Sequence, residues 1–175
     1  MIAREYAVWL LARADQHAAL HARVRQLAPR HEGHVFEPHV TLQADLPLSA
    51  DPACALVDAL AAATPVQRWT VGAVEGTGHY FRSLFLRLTA GDAFARLCRQ
   101  CVEASGTEEG LSPYAHLSLA YGPTQGDAVA LRRELTDVLG GTTLVLDRVA
   151  LARAGTAVPI AQWQLVHVRP LVGAA

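Results

Sequence analysis

Two short stretches of the chain carry a histidine and a hydroxyl two residues apart. "FEPHVTLQ" holds His39 and Thr41, and "YAHLSLAYG" holds His116 and Ser118. On a strand, residues i and i+2 share a face, so His39 and Thr41 point one way while Val40 and Leu42 point the other. A neutral imidazole can take a proton from water, and an imidazolium can give one to a leaving alkoxide, both near neutral pH. Two hydroxyls can donate hydrogen bonds to the non-bridging oxygens of a phosphodiester as the transition state forms. In-line attack needs base and acid on opposite sides of phosphorus, and two facing His-x-Thr/Ser pairs supply that arrangement. A substrate with one charge per phosphate does not demand a metal ion, and the sequence has no carboxylate cluster. The competing reading is two core histidines with satisfied hydrogen bonds. Eight histidines make one such pair expected by chance, so the weight rests on context. Both pairs are expected mid-strand, both are followed by Leu, and each belongs to its own half of the chain.

The elements that must position these residues follow from periodicity and punctuation. "YAVWLLA" (6–12) reads as a strand, and a helical pattern runs from Asp15, a candidate N-cap, to about Leu27. After a loop with Pro29 and "HEGH" comes the strand "PHVTLQ". Ser49 or Asp51 then opens the helix "DPACALVDALAAA". Two strand-like runs, "VQRWTVGAVEG" and "HYFRSLFLRLTA", are joined through "GTG". A helix from Asp92 to about Ala104 precedes the strand "AHLSLAYG". The helix "GDAVALRRELTDVL" stops at the "GG" of 140 and 141, and the strands "TTLVLDRVALAR" and "QWQLVHVRPL" close the chain. The order strand, helix, His-x-hydroxyl strand, helix, strand occurs twice. It predicts an α+β fold, residues 1–175 as one domain of two pseudo-twofold-related lobes, with sheets lining a shared central cleft and helices outside.

Composition bounds the partners. The chain has 175 residues, a formal net charge of −1, 51% hydrophobic and 18% charged residues. That is globular, and with no basic run it argues against a duplex DNA footprint, although a single phosphate or a short end needs little charge. No stretch approaches 18 apolar residues and the start lacks the pattern of a signal peptide, so a soluble cytoplasmic protein with no membrane span is expected. Three cysteines, Cys54, Cys98 and Cys101, argue against a disulfide framework. "CRQC" lies inside a helical pattern and reads as two thiols on neighbouring turns.

"PHVTL" with "HLSLAYG" resembles the two-histidine (2H) phosphoesterase superfamily. The resemblance extends to its cyclic phosphodiesterase branch through "YAVWLL", "FEPHVTL", "GTGHYFRSLFLRL", "PYAHLSLAYG" and "RVALARAGTAVPIAQWQLV", in order along nearly the whole chain. It implies a bilobal α+β fold and cofactor-free, metal-independent opening of cyclic phosphates. The implied substrates are nucleoside 2′,3′-cyclic phosphates, opened to 2′-phosphates, or ADP-ribose 1″,2″-cyclic phosphate. By the same resemblance His39 and His116 are the catalytic pair, with His116 as base and His39 as acid, and Thr41 and Ser118 hold phosphate oxygens. Tyr121 matches a tyrosine near the phosphate, yet regular strand parity places it opposite Ser118, so a bend or bulge near Gly122 is required. Trp9 could offer a stacking face for a base or belong to the core. Arg82 could help neutralise phosphate or be a solvated surface residue. A monomer is expected. Related RNA phosphodiesterase/ligase proteins tend to carry an aromatic where this chain has "QADLP". RNA 2′,3′-cyclic-phosphate ends or 2′-5′ linkages are the alternative substrates, and a non-catalytic nucleotide- or RNA-binding module is the alternative class.

Of the other histidines, His31 and His34 in "HEGH" have one residue too few between them for a helical zinc motif, and read as a loop of solvated polar residues. His17 and His21, at i and i+4, are expected on the surface. His79 is expected near the cleft mouth, and His167 suggests no role.

Overall fold

In the computed structural model, which describes residues 4–174, the run YAVWLLA forms β1 (Tyr6–Ala12) and begins a repeat. β1 is followed by α1 (Ala14–Leu27), β2 (Val40–Leu46), α2 (Ala50–Ala63) and β3 (Gln67–Glu75). The second pass gives β4 (Leu84–Thr89), α3 (Asp92–Ser105), β5 (His116–Ala120), α4 (Ala128–Leu139) and β6 (Thr143–Arg153), with β7 (Gln164–Pro170) closing the chain. The order of elements is the one that the sequence predicts, but several starts differ. β2 begins after His39, and residues Tyr80–Arg82 of the expected strand "HYFRSLFLRLTA" form a 3-10 turn ahead of β4. Arg13 occupies the N-cap of α1, with the expected cap, Asp15, inside the first turn. There its carboxylate still favours the helix N-terminus, and the Arg13 guanidinium at 2.7 Å holds its pKa down to about 2. Asp127 does cap α4, accepting from the amides of Val129 and Ala130.

The strands form one antiparallel sheet in the order β2-β1-β6-β3-β4-β5, with β7 beside β6. Exchanging β1 with β4, β2 with β5 and β3 with β6 reads that order backwards, which is the signature of a twofold axis between β6 and β3. Each half lends its third strand to the other: β6 pairs with β1, and β3 pairs with β4. The two halves therefore share a continuous sheet. Helices follow the same symmetry, with α1 against β5 and α3 against β2, and α2 against β6 and α4 against β3. The edge strands β2 and β5 curl towards each other, which brings the two motifs together.

Alternation sorts the side chains. Val8 and Leu10 of β1, Val40 and Leu42 of β2, Leu84 and Leu86 of β4, and Leu117 and Leu119 of β5 join the helices in the main core. The other face of the sheet carries Trp9, His39, Thr41, His116 and Ser118 into a common cleft. Cys98 and Cys101 are buried free thiols on α3, pushed up to about 11 and about 12 by burial. Among the described residues no helix is long and apolar enough to cross a membrane.

Candidate active site

The two histidines stand at strand starts, not mid-strand: His39 immediately precedes β2 and His116 is the first residue of β5. That position leaves the preceding backbone free to bend back on the ring. His39 Nδ1 lies 2.6 Å from the carbonyl oxygen of Glu37, and His116 Nδ1 lies 3.0 Å from that of Tyr114. A carbonyl only accepts, so Nδ1 carries the proton in both rings, and Nε2 is left to exchange a proton with a bound group. The same i−2 contact in each half extends the twofold relation down to single atoms.

The surroundings of the two rings differ. His39 is 6% exposed and lies flat on Trp9, and Trp9 meets Trp163 edge-on. Burial pushes the His39 pKa down to about 3, with the Glu37 carbonyl working the other way. His116 lies edge-on to Phe85 and Tyr114, and Ser112 Oγ stands 3.2 Å from its Nδ1. Its pKa is also lowered, by burial first, then by the cationic Arg82 and Arg87 against the opposing Tyr114 carbonyl.

A cleft of about 240 Å³ brings together all six residues singled out from the sequence: Trp9, His39, Thr41, His116, Ser118 and Tyr121. Arg82 and His79 also line it, and its described lining contains no carboxylate. A wall with an arginine, imidazoles and hydroxyls and no acid suits an anion. Among the described residues no three His, Cys, Asp or Glu side chains converge in a way that could hold a metal ion. The two hydroxyls are not equivalent. Ser118 Oγ donates to the carbonyl of Phe81 at 2.9 Å, whereas Thr41 has no protein partner among the described residues.

Tyr121 reaches the cleft by the route that strand parity demands. Ala120 pairs with Leu84 but Ser118 pairs with Phe85, so β5 holds one extra residue there, a bulge. The strand then ends and Gly122 turns at φ +80. Tyr121 stacks on Phe36 with ring centroids 4.0 Å apart, and burial raises its phenol pKa.

No protein-family model matches the sequence, and no curated protein does. Solved structures do match in fold. E. coli LigT complexed with 3′-AMP superposes with a TM-score of 0.63 at 13% identity, over 96% of this chain and 98% of that one. TT0787 of Thermus thermophilus gives a TM-score of 0.63 at 20% identity, over 97% of this chain and 99% of that one. A structure described as a phosphoesterase gives 0.61 at 10% identity, over 95% and 97%. The chain has a 2H phosphoesterase fold.

Within that fold several neighbours of the site escaped the sequence reading. Trp163 lines the cleft, Phe36 stacks behind Tyr121, and Ser112 contacts His116 from a loop. Irregular segments carry no periodicity, so nothing local distinguishes such residues. Two histidine readings are corrected. His31 is buried, bonded to the Leu27 carbonyl and to Thr124 Oγ1, each at 3.0 Å, because the chain turns inward after a 3-10 turn at Ala28–Arg30. His17 is half-buried, with Nε2 3.2 Å from a Glu37 carboxylate oxygen, because the segment leading to β2 folds over α1. His79 is exposed at the cleft rim, as expected, and His167 bonds Asp58 at 2.8 Å.

Proposed function

We propose that this chain is a 2H cyclic phosphodiesterase that hydrolyses nucleoside 2′,3′-cyclic phosphates, or a related nucleotide-sized cyclic phosphate, to the 2′-phosphate without a metal ion. One observation carries the reading. Two imidazoles, each fixed through Nδ1 to a backbone carbonyl, line one cleft with two hydroxyls and an arginine. A general base and a general acid are thereby preorganised around a single anion.

In this mechanism the phosphate sits between the histidines, its non-bridging oxygens on Thr41, Ser118 and the Arg82 side. A water oxygen attacks phosphorus while one Nε2 takes its proton. The bond from phosphorus to the 3′ oxygen breaks, and that oxygen receives the proton of the other Nε2. Burial disfavours the charge on both rings. His39, flat on Trp9, is taken as the base, and His116, whose Nδ1–H has a second acceptor in Ser112 Oγ, as the acid. The resemblance noted in the sequence implies the reverse. The cleft has room for a phosphate and sugar, with the base at a rim of aromatic side chains including Phe81 and Trp163. The reading takes residues 1–175 as one two-lobed domain acting as a monomer.

Turnover of the four nucleoside 2′,3′-cyclic monophosphates, with EDTA present, tests it directly. Wild type should turn over, His39→Ala and His116→Ala should not, and the product should be the 2′-phosphate. A folded wild type that is inert on all four removes the mononucleotide reading and makes RNA 2′,3′-cyclic ends the next substrate to assay.

A further inference from the structure

His39 immediately precedes β2, and Thr41 and Gln43 lie within it. A one-residue slip against β1 between Thr41, opposite Trp9, and Gln43, opposite Val8, takes Gln43 off the face that His39 and Thr41 share. Those two line the cleft. Gln43 is fully buried, and its amide serves a different end. Nε2 donates to the carbonyls of Thr107 and Glu109 at 2.9 and 2.7 Å, and Oε1 accepts from Ser105 Oγ at 3.1 Å. These bonds clasp the segment that leaves α3 at Gly106, in the left-handed region, and runs to β5. Around them the backbone of β2 continues the join: Ala44 N donates to Gly110 O, and Ser112 N donates to Leu42 O. Gly110 approaches so closely that a Cβ there would lie 1.9 Å from the Ala44 carbonyl oxygen. The clasped segment ends at Ser112. Its Oγ donates to the Tyr114 carbonyl and stands within reach of His116 Nδ1.

We propose that Gln43 is a positioning residue that acts across the two halves of the chain. It pins the 105–112 segment to β2, and through Ser112 sets the orientation of His116 and the partners of its Nδ1. His39 and His116 are then referenced to one strand, the first directly and the second by this strap. In His116 the Nδ1–H is shared between the Tyr114 carbonyl and Ser112 Oγ, whereas His39 has the Glu37 carbonyl alone. A hydroxyl that accepts from Nδ1 favours the imidazolium, against the charges that oppose it: Arg82 from the turn before β4, Arg87 from β4, and His79 at the rim. The strap thus serves the histidine that must hold a proton, and the inference deepens the phosphodiesterase reading on which its catalytic part rests.

The test uses Gln43→Met, which keeps the volume and removes the amide, Ser112→Ala, and the double variant. The imidazole nitrogens of His39 and His116 are followed by NMR through a pH titration, and uridine 2′,3′-cyclic phosphate turnover is measured alongside. Each single variant should move the His116 titration to lower pH and leave that of His39 in place. Loss of alignment by a fraction of an ångström should lower kcat about tenfold, with KM within about twofold. The double variant should be no worse than the deeper single one, since both cut the same connection. An unmoved His116 in Gln43→Met or Ser112→Ala, or losses that multiply in the double variant, overturns the proposal. If Gln43→Met does not fold, Ser112→Ala decides by the same titration. If wild type turns over no cyclic nucleotide, the phosphodiesterase reading fails on its own, and the titrations still decide whether Gln43 positions His116.

Discussion

The imidazole of His39 lies flat on the indole of Trp9, ring centroids 3.6 Å apart and planes 8° from parallel. One face of Trp9 is therefore taken by a catalytic candidate and is closed to a nucleobase. The stack has two opposed electrostatic consequences: it desolvates the imidazole, and it offers a π face to the imidazolium. Replacing Trp9 with Phe keeps a flat face, whereas Leu does not. Trp9→Leu should lower kcat about tenfold or more through loss of ring alignment, and Trp9→Phe should stay within a few-fold of wild type. Equal losses in both variants would show that the tryptophan serves the core and not the stack.

The unequal hydrogen bonding of the two motif hydroxyls predicts unequal losses. Ser118 must give up its bond to the Phe81 carbonyl before its proton can serve a phosphate oxygen, while Thr41 has no such competitor among the described residues. Removing one preorganised donor to a developing charge costs about 10²–10³ in kcat, and Thr41→Val should fall in that range. Ser118→Ala should lose less, because the Phe81 bond is forfeited with the hydroxyl. Steady-state kinetics on one cyclic nucleotide compares them, and a larger loss at Ser118 would invert the assignment.

The acid and base roles separate with a substrate whose leaving group needs no proton, such as a nucleoside p-nitrophenyl phosphodiester. Loss of the acid is then tolerated, and loss of the base is not. With His116 as acid, His116→Ala should regain at least tenfold of its relative activity on that ester, and His39→Ala should regain none. The opposite pattern assigns the acid to His39.

Much of this site was legible in the chain because β-strand parity is rigid. His-x-Thr and His-x-Ser fix which side chains share a face wherever the strand is regular, and the repeat of elements fixes that two such faces exist. What escaped lies where parity stops. Ser112 and Gln43 act through a loop whose course depends on contacts between distant segments, and "QADLP" reads only as a departure from a pattern. Trp163 reaches Trp9 from the other end of the chain, a meeting set by the pairing of β1 with β6 and of β6 with β7. His31 reads as solvated because "HEGH" is polar, yet one turn of 3-10 helix buries it. Tyr121 is intermediate: parity alone required a bulge, and one is present at Ser118–Ala120.

The buried histidines also set how stability depends on pH. In the unfolded chain an imidazole titrates near 6.5, whereas burial lowers His39 to about 3 in the folded protein. Between those values the unfolded chain binds more protons, so acid favours unfolding. The stabilisation is fully present above about pH 6.5 and is lost progressively as pH falls towards 3. His116 and the half-buried His17, both lowered by burial, act with the same sign. Carboxylates do not confuse the upper part of this window. Asp15, held at about 2 by Arg13, contributes only as pH falls below its ordinary value of 3.8. The melting temperature should therefore drop already between about pH 6.5 and 5, with each kcal/mol worth about 2–4 °C in a chain of this size. His39→Gln removes the largest of these proton acceptors without adding a charge, so its melting temperature should vary less with pH over that interval, and a His39→Gln/His116→Gln double variant less again. A slope unchanged by both substitutions would mean that the rings take up protons in the folded state as readily as in the unfolded chain, and that the cleft is wetter than its geometry indicates.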